Sequence, residues 1–541
     1  MIELVIEPLG NRIPCTYRQT IIDAVRSVGI TICATCGGQG TCGHCAVIVI
    51  HGDVSTPHIS EENTLGLEKI KSGWRLACQT TIQGNVKIYL PPESFSSVHR
   101  LQVETAPSPI GYTPGSALSQ YGQTRFGSSA IGLAVDLGTT KIAAYLVDIE
   151  SGKTIDQSGV INPQISYGED VIARINHTFK EADGAENLQK IVVQALNSLA
   201  GELCGRTGKN IRDIEDAVIV GNTAMHHLLI GLSVRSLGLS PYVPTEKKAL
   251  DIPARQLGLD FSPYANVHFL PNIGGFVGGD HVAMLLGSGM LEKEGVILGL
   301  DIGTNTEISL IVNGAHFACS AASGPAFEGA HIRYGLRAIS GAIEKIIIHN
   351  ERVEYKTIDN QPPKGLCGSG ILDLVAQMLR SGIIDRKGSM IDSYFDRIRM
   401  GKNIEKAFIV VPADQNNGFE ITFSRKDVNE IQLAKAAIRT GTSLLLRHAE
   451  ISEQDITKVV IAGAFGTYLD VQSGMDIGMF PQISKGKFLQ VGNAAGTGAK
   501  MALLSLERRK RAEELARHVT HVELTKEKNF SSMFARALLF D

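Results

Sequence analysis

Short apolar runs separated by turn residues fill the first 95 positions of the chain. MIELVIE and RIPCTY flank the turn residues 8–11, which predicts a β-hairpin, and QTIIDAVRSVG has the apolar spacing of a short helix. The runs AVIVIHG and NVKIYLP predict two further strands. Residues 1–95 are therefore predicted to form a small α+β domain.

The apolar pattern changes after residue 129. Short apolar strands alternate there with helical patterns such as IVVQALNSLAGEL and IQLAKAAIRTGTSLLLRHAE, and this alternation predicts an α/β architecture. Between the two regions, residues 96–128 are rich in Ser, Gly, Pro and Gln and poor in long apolar runs. This composition predicts a flexible linker, with an ordered loop packed on a domain as the alternative.

Composition narrows the class of protein. A chain of 541 residues is too long for one hydrophobic core, and its 43% hydrophobic and 20% charged residues are ordinary for globular domains. A net charge of −3 favours neither a nucleic acid nor an anionic membrane as partner. No apolar stretch is long enough to span a bilayer, and the first ten residues lack the features of a signal peptide, so a cytoplasmic location is expected.

Most of the cysteines are concentrated in one short part of the chain. Cys36, Cys42 and Cys45 have the spacing C-x₅-C-x₂-C, and Cys78 follows 33 residues after Cys45. Three thiolates on one loop and a distant fourth are the ligand arrangement of [2Fe–2S] ferredoxins. The four glycines between residues 37 and 43 allow backbone N–H groups to turn toward cluster sulfides.

Structural zinc is the alternative for this loop, because Cys33 and Cys36 form a second C-x-x-C pair beside Cys42 and Cys45. Zinc ribbons separate their pairs by a dozen or more residues, and zinc would leave Cys78 unused. We therefore favour the iron–sulfur interpretation, with Cys33 as a bystander. CGGQGTCGHC followed by RLACQT resembles the β-grasp ferredoxins of adrenodoxin-like spacing, and the resemblance covers residues 1–95.

Two hairpins in the second region share one design. LAVDLGTTKIAAYLVD (133–148) and LGLDIGTNTEISLIVN (298–313) each have an apolar strand that ends in Asp, a Gly-Thr turn and a second apolar strand. Asp136 and Asp301 are placed to hold hydrated Mg²⁺ or to orient an attacking water. The turns can present N–H groups and hydroxyls to phosphate oxygens. The candidate phosphate-binding residues are Gly138, Thr139, Thr140, Gly303, Thr304, Asn305 and Thr306.

The two hairpins lie 165 residues apart, which suggests a duplicated fold with phosphates clamped between its halves. A third element, VVIAGAFGTYLD (459–470), is an apolar strand followed by small residues that would let a purine lie flat against the backbone. Its candidate adenosine-binding residues are Gly463, Ala464, Phe465 and Gly466.

In order and character these elements resemble the phosphate-1, phosphate-2 and adenosine motifs of the superfamily that contains actin, sugar kinases, acetate kinase and heat-shock chaperones. The resemblance implies an ATPase domain of duplicated ribonuclease-H-like fold, with halves at 129–290 and 291–541 and with ATP and Mg²⁺ as ligands. A degenerate relic that binds no nucleotide is the alternative.

Five further glycine-rich boxes, which include VGNTAMHH (220–227), PNIGGFVGGDH (271–281) and VGNAAGTGA (491–499), are predicted to serve tight packing. We also expect the histidine pair 226–227, Cys319 and Cys367 to be packing residues.

The order of all these motifs resembles the reductive activators of corrinoid-dependent methyltransferase systems. The resemblance implies that the chain returns inactive Co(II) corrinoid to Co(I), with single electrons from its [2Fe–2S] cluster and with ATP hydrolysis. It implies a corrinoid protein as partner and an external one-electron donor, and it allows a homodimer through the ATPase domain. Relatives with C-terminal four-iron clusters are excluded, because the last cysteine is Cys367.

Two other functions stay open at this point. The first is a chaperone-like remodelling protein whose cluster senses the redox state. The second is a sugar or carboxylate kinase with an appended ferredoxin, which gives the cluster no role. The chain contains no G-x-G-x-x-G motif with its acidic partner, so it cannot readily accept hydride itself.

Overall fold

The computed structural model describes most of the chain outside the predicted linker. The described ranges are 2–7, 11–28, 32, 34, 36–43, 45–91, 130–168, 170–349, 352–391, 397–400, 406–463 and 465–540. The predicted linker 96–128, Cys33 and the candidate adenosine-binding Ala464 lie outside the described residues.

The N-terminal region folds into a mixed five-stranded sheet with helices against it. Its elements are β1 (Ile2–Glu7), β2 (Asn11–Cys15), α1 (Ile21–Ser27), β3 (Ala46–Val54), α2 (Ile59–Leu65), α3 (Leu67–Lys71), β4 (Trp74–Leu76) and β5 (Ile82–Tyr89). The strand order is β2-β1-β5-β3-β4, and β1 pairs antiparallel with β2 but parallel with β5. Leu4 and Ile6 of β1 share one buried core with Ile21 and Val25 of α1. This is the predicted β-grasp arrangement.

The next region is built on a six-stranded sheet. Its strands and helices are β6 (Ile131–Leu137), β7 (Lys141–Asp148), β8 (Thr154–Ile161), α4 (Val171–Lys180), α5 (Gly184–Arg206), β9 (Ile214–Gly221), α6 (Thr223–Ile230), β10 (Leu250–Pro253), β11 (Asn266–Phe269) and α7 (Gly279–Gly287). The strand order is β10-β11-β9-β6-β7-β8. A 3₁₀ helix, Pro163–Tyr167, follows β8.

The C-terminal region holds a second six-stranded sheet and two smaller sheets. Its elements are β12 (Val296–Ile302), β13 (Thr306–Val312), β14 (Ala315–Ala321), β15 (Ala342–His349), β16 (Arg352–Thr357), β17 (Gly365–Leu366), α8 (Gly368–Arg380), β18 (Ile398–Met400), β19 (Lys406–Val411), β20 (Ile421–Ser424), α9 (Arg425–His448), β21 (Ile456–Ala462), α10 (Val471–Asp476), β22 (Phe488–Gln490), α11 (Ala494–Leu504), α12 (Leu506–His518), β23 (Val519–His521) and α13 (Phe530–Ala537). The larger sheet has the order β22-β21-β12-β13-β14-β23.

The two six-stranded sheets repeat one topology. In the first, β6 forms a hairpin with β7 and pairs in parallel with β9. In the second, β12 forms a hairpin with β13 and pairs in parallel with β21. In both sheets a third antiparallel strand continues the hairpin. The predicted duplication is thus present as five strands of matching order in each sheet, with β10 added at one edge of the first sheet and β23 at the opposite edge of the second.

Helices α7 and α11 pack against each other between the two sheets. A Cβ on Gly498 would collide with the backbone of Ala283, and a Cβ on Gly287 would collide with the carbonyl of Ala494. Close packing therefore explains part of the glycine-rich box at 491–499, as predicted. Among the described residues, no helix combines the length and apolar character that a membrane span requires.

Candidate functional site

The four predicted cluster ligands converge at one end of the β-grasp sheet. Cys36 and Cys42 lie on the loop between α1 and β3, Cys45 directly precedes β3, and Cys78 lies in the turn after β4. The Sγ atoms of Cys45 and Cys78 are 3.3 Å apart. Hydrogen bonds from the Cys42 and Cys78 thiols lower the pKa of Cys36, and the bond with Cys36 raises the pKa of Cys78, because these thiols lie within hydrogen-bond distance of one another. None of these four thiols is in a disulfide.

The loop between the ligands follows the conformation that its glycines permit. All four glycines have positive φ, namely Gly37, Gly38, Gly40 and Gly43. At Gly40 the space is closed as well, since a Cβ would lie 2.7 Å from Ser60 Oγ and 2.9 Å from Gln79 Cγ. Any larger residue at position 40 would therefore strain the backbone of the loop and push against the side chains of Ser60 and Gln79. The thiol set and this loop fit a [2Fe–2S] cluster.

A buried ion pair fixes the turn that carries Cys78. The Glu61 carboxylate is fully buried and accepts two bonds from Arg75, at 3.0 and 2.9 Å. It also accepts from Leu76 N at 2.9 Å and from Thr80 Oγ1 at 3.1 Å, on either side of Cys78. Burial raises the pKa of Glu61, but these hydrogen bonds outweigh burial and hold it below its usual value.

Gln79 connects the turn that carries Cys78 with the glycine-rich cysteine loop. It was not singled out in the sequence analysis. Its Nε2 donates to the carbonyl of Gly38 at 2.6 Å and lies 3.6 Å from Cys78 Sγ. An N–H donor beside a ligand sulfur stabilises the added negative charge of a reduced cluster. Gln79 followed the predicted ligand directly in RLACQT, but only the fold shows where its amide lies.

Replacing Gln79 with leucine is expected to lower the reduction potential of the cluster by about 40 mV. The estimate takes about 1 kcal/mol for the lost hydrogen bond and about 59 mV per 1.4 kcal/mol for one electron. A redox titration followed by visible absorbance measures the shift. Gln39→Leu is the matched control, since Gln39 is an exposed glutamine on the loop that carries Cys36 and Cys42. Equal potentials for the two variants would contradict the role of Gln79.

The two Asp-Gly-Thr hairpins meet across the two halves of the fold. The hydroxyls of Thr140 and Thr304, one from each turn, are 3.0 Å apart. Thr304 Oγ1 also donates to Glu328 Oε1 at 2.9 Å. The duplicated sheets thus bring both turns to the rim of one cleft, which is the arrangement expected of a phosphate clamp.

Ten of the predicted residues line this cleft: Asp136, Gly138, Thr139, Thr140, Asp301, Gly303, Thr304, Asn305, Gly463 and Phe465. Two of the predicted residues do not. The hydroxyl of Thr306 is buried and bonded to Ser323 Oγ at 2.9 Å, because Thr306 already belongs to β13. Gly466 lies behind the turn, against the carbonyl of Ala462.

Four carboxyl groups share the cleft; that of Glu307 is buried, and those of Asp136, Asp280 and Asp301 are half-buried. Burial raises the pKa of Asp136 to about 6, and burial together with the charge of Asp136 raises the pKa of Asp301 to about 7. Burial raises the pKa values of Asp280 and Glu307 well above the usual range, and the neighbouring carboxylates add to the shift. Ionisation of these carboxyl groups is unfavourable unless a cation is bound nearby. Since Mg²⁺ prefers oxygen ligands, the cleft suits Mg²⁺.

Three glycine-rich boxes, predicted only to pack, also supply polar groups to the cleft. Asn222 caps α6 through its Oδ1, and its Nδ2 donates to Thr139 Oγ1 at 2.8 Å. Asn493 caps α11 in the same way, and its Nδ2 donates to Asp136 Oδ2 at 2.8 Å. Asp280 begins α7. An Asn after Val-Gly, between a strand and a helix, was the signal that could have identified two of these residues.

The remaining predicted residues belong to the adenosine motif or were expected to serve packing. The ring of Phe465 stacks on Phe327, with centroids 5.1 Å apart, at the cleft wall. At Gly463 a Cβ would lie 2.9 Å from Asp301 Oδ1, so glycine lets the end of β21 approach that carboxylate. The histidine pair 226–227 and Cys319 are buried in the packing, and Cys367 is buried at the cleft wall.

Three family models match successive parts of the chain. They describe a 2Fe-2S iron-sulfur cluster binding domain (residues 4–83), a RACo middle region (131–293) and the C-terminal domain of RACo, the ASKHA domain (295–541). The corrinoid activation enzyme RamQ of Eubacterium limosum is 37% identical over 420 residues, which are 76% of this chain and 70% of RamQ. The chain belongs to the RACo family.

Two further similarities extend over most of the chain. The [Co(II) methylated amine-specific corrinoid protein] reductase of Methanosarcina barkeri is 24% identical over 438 residues, which are 74% of this chain and 76% of the reductase. A solved structure described as a reductive activator for corrinoid,iron-sulfur protein is 30% identical, with a TM-score of 0.70. The match covers 100% of this chain and 98% of the chain in that structure. The RACo family assignment confirms the predicted resemblance and the predicted fold class.

Proposed function

We propose that this protein reduces the cobalt of a corrinoid protein from Co(II) to Co(I), with single electrons from its [2Fe–2S] cluster and with coupled hydrolysis of ATP. One observation carries the proposal. A single chain holds a group of four convergent thiols and a cleft between two Asp-Gly-Thr hairpins, and two relatives that match about three quarters of it are named as a corrinoid activation enzyme and a Co(II) corrinoid protein reductase.

The residues divide this work between two sites. The thiols of Cys36, Cys42, Cys45 and Cys78 would hold the cluster, which supplies one electron at a time when bound. In the cleft, the carboxylates of Asp136 and Asp301 would hold Mg²⁺ or orient the attacking water. The N–H groups and hydroxyls of the two turns would bind the phosphate oxygens. One electron moves to each cobalt, while ATP and water give ADP and phosphate.

ATP has a physical role if the cobalt acceptor lies below the cluster in potential. For one electron, each 59 mV of uphill transfer is about 1.4 kcal/mol. The contact between Thr140 and Thr304 joins the two halves of the fold at the phosphate turns. A phosphate bound there contacts both halves, so its hydrolysis can change their relative position and drive an otherwise unfavourable transfer.

The test uses the purified, cluster-loaded protein with a chemical reductant and a corrinoid protein in the Co(II) state. With Mg²⁺ and ATP, the visible absorbance of Co(II) should fall and that of Co(I) should rise; a non-hydrolysable analogue should give neither change. ATP hydrolysis should also be accelerated by the corrinoid partner and not by sugars. Phosphate transfer to a sugar would favour the kinase, and release of the corrinoid without Co(I) would favour the remodelling protein.

The region 96–128 is predicted to act as a tether for the ferredoxin domain. Its 33 residues have a root-mean-square reach of about 30 Å if flexible. Halving the length should therefore slow Co(II) reduction, whereas a Gly/Ser sequence of equal length should preserve the rate. Cluster absorbance and basal ATP hydrolysis are the controls and should not change. Loss of reduction in the Gly/Ser variant would instead indicate a linker that fixes one geometry.

The external one-electron donor and the homodimer through the ATPase domain stay predictions. Mixing the oxidised protein with candidate donors and following the bleaching of the cluster tests the first. Light scattering of the purified protein tests the second.

A further inference from the structure

The ferredoxin domain contacts the ATPase domain at a short segment, residues 163–168, which we name the docking segment. The guanidinium of Arg26, at the end of α1, donates to the carbonyl of Ser166 and lies 4.5 Å above the ring of Tyr167. In return, Ser166 Oγ donates to the carbonyl of Ile32 at 3.3 Å. Cation–π and hydrogen-bond contacts thus join the two domains on both sides of the same turn.

The contact reaches the cluster loop itself. Gly37, the residue after the predicted ligand Cys36, lies against the carbonyl of Tyr167, and a Cβ on Gly37 would be 3.3 Å from that oxygen. Its φ of 62° also favours glycine. The docking segment therefore packs directly beside one of the four cysteines.

The other side of the docking segment is connected to the first phosphate turn. Arg174 is fully buried; its Nε donates to Gly168 O at 2.9 Å and its Nη1 to Gln164 Oε1 at 3.1 Å. Its Nη2 donates to the carbonyl of Thr139 in the turn. One guanidinium thus bonds both to the docking segment and to the residues that would bind phosphate.

Asn162, the residue before the docking segment, makes a second connection. Its Nδ2 donates to Gly138 O at 2.8 Å, and its backbone N donates to Thr140 O at 2.9 Å. Its Oδ1 accepts from Gln164 N at 3.0 Å. Asn162 and Arg174 therefore donate hydrogen bonds to the three consecutive carbonyl groups of the turn, those of residues 138–140.

This pattern fixes the direction of the turn's N–H groups. In a planar trans peptide the N–H points opposite to the C=O of the same unit. When the carbonyls of residues 138–140 are held by Asn162 and Arg174, the N–H groups of residues 139–141 point the other way, as phosphate binding requires.

We infer that the docking segment is a binding site for the ferredoxin domain, and that docking and phosphate binding at the 138–140 turn strengthen each other. The inferred coupling to phosphate binding rests on the proposed ATP site. Docking holds the segment that orients Arg174, and Arg174 holds the turn. Because such coupling is reciprocal, a substitution on the ferredoxin domain must change the affinity of the distant nucleotide site.

The test uses the full-length, cluster-loaded protein and the Arg26→Ala variant. Without nucleotide, hydrogen exchange of peptides that cover residues 163–168 should be several-fold faster in Arg26→Ala than in the wild type. The dissociation constant of a non-hydrolysable ATP analogue with Mg²⁺, measured by titration calorimetry, should rise about fivefold. Unchanged cluster absorbance shows that the variant domain is folded.

Arg12→Ala is the matched control, because Arg12 is an exposed arginine of the same domain that pairs with Glu3 on the neighbouring strand. It should leave both measurements unchanged. Tyr167→Leu removes the cation–π part of the contact from the other side and leaves the hydrogen bond from Arg26 to the carbonyl of Ser166, so it should change both measurements in the same direction as Arg26→Ala and by less. The double variant should then match Arg26→Ala, since Arg26→Ala already loses the contact that Tyr167→Leu removes.

Each remaining result has a distinct meaning. Equal exchange of residues 163–168 in Arg26→Ala and Arg12→Ala would overturn the docking site. Faster exchange with an unchanged dissociation constant would overturn the coupling and leave docking in place. If the wild-type protein binds no ATP analogue, the coupling fails together with the proposed ATP site, while the exchange comparison still decides the docking.

Discussion

Replacing Cys42 with alanine is expected to abolish the visible absorbance of the purified protein. The thiols of Cys36, Cys42, Cys45 and Cys78 form one group with no disulfide, and a cluster bound by four thiolates loses an iron ligand when one is removed. Wild-type protein should contain two irons and two sulfides per chain, measured by colorimetric assay, and Cys42→Ala should contain almost none.

Two other cysteine variants serve as controls for this result. Cys15→Ala removes a thiol of the same domain that is buried in β2 and bonded to the carbonyl of Ile13. Cys33→Ala removes the extra thiol that the zinc interpretation requires. Both variants should keep the iron, the sulfide and the spectrum. Survival of the spectrum in Cys42→Ala, with its loss in Cys33→Ala, would overturn the ligand assignment.

The parts of the site that the sequence predicted are those encoded in short segments. The C-x₅-C-x₂-C spacing confines three thiols to one loop, and the Gly-Thr turn after Asp136 follows from strand pattern and glycine alone. The contact between Thr140 and Thr304 spans 164 residues, yet it could be expected because two similar hairpins indicate a duplicated fold. The repeated hairpin motif thus indicated a contact between residues that are distant in the sequence, which a single copy could not do.

The parts that the sequence left out depend on tertiary packing. Asp280 reaches the cleft because α7 packs against α11 through glycine, and a glycine-rich box by itself predicts only close packing. The amide of Gln79 lies beside the predicted ligand Cys78 only because its side chain folds back over Gly38. The contact of Arg26 with Ser166 joins residues 140 positions apart, and neither residue belongs to a motif.

Asp136→Asn and Asp301→Asn are each expected to lower ATP turnover by about 100-fold or more. Both carboxylates face the cleft, and the loss of a metal-binding charge removes several kcal/mol of transition-state stabilisation, at about 1.4 kcal/mol per tenfold in rate. Turnover is measured as phosphate release at saturating Mg²⁺ and ATP. Asp148→Asn is the control, because Asp148 ends the same hairpin at the far end of β7, away from the turn.

The same two substitutions should not destabilise the fold, and this separates lost chemistry from lost structure. Burial raises the pKa of both aspartates, which means that the charged form is disfavoured by the folded protein. Asparagine is close in shape and can still accept the bond from Asn493 at position 136. The melting temperature at pH 8 should therefore equal or exceed that of the wild type. Retention of half the turnover, or a fall in melting temperature that accounts for its loss, would contradict the assignment of Asp136 and Asp301 to the ATP site.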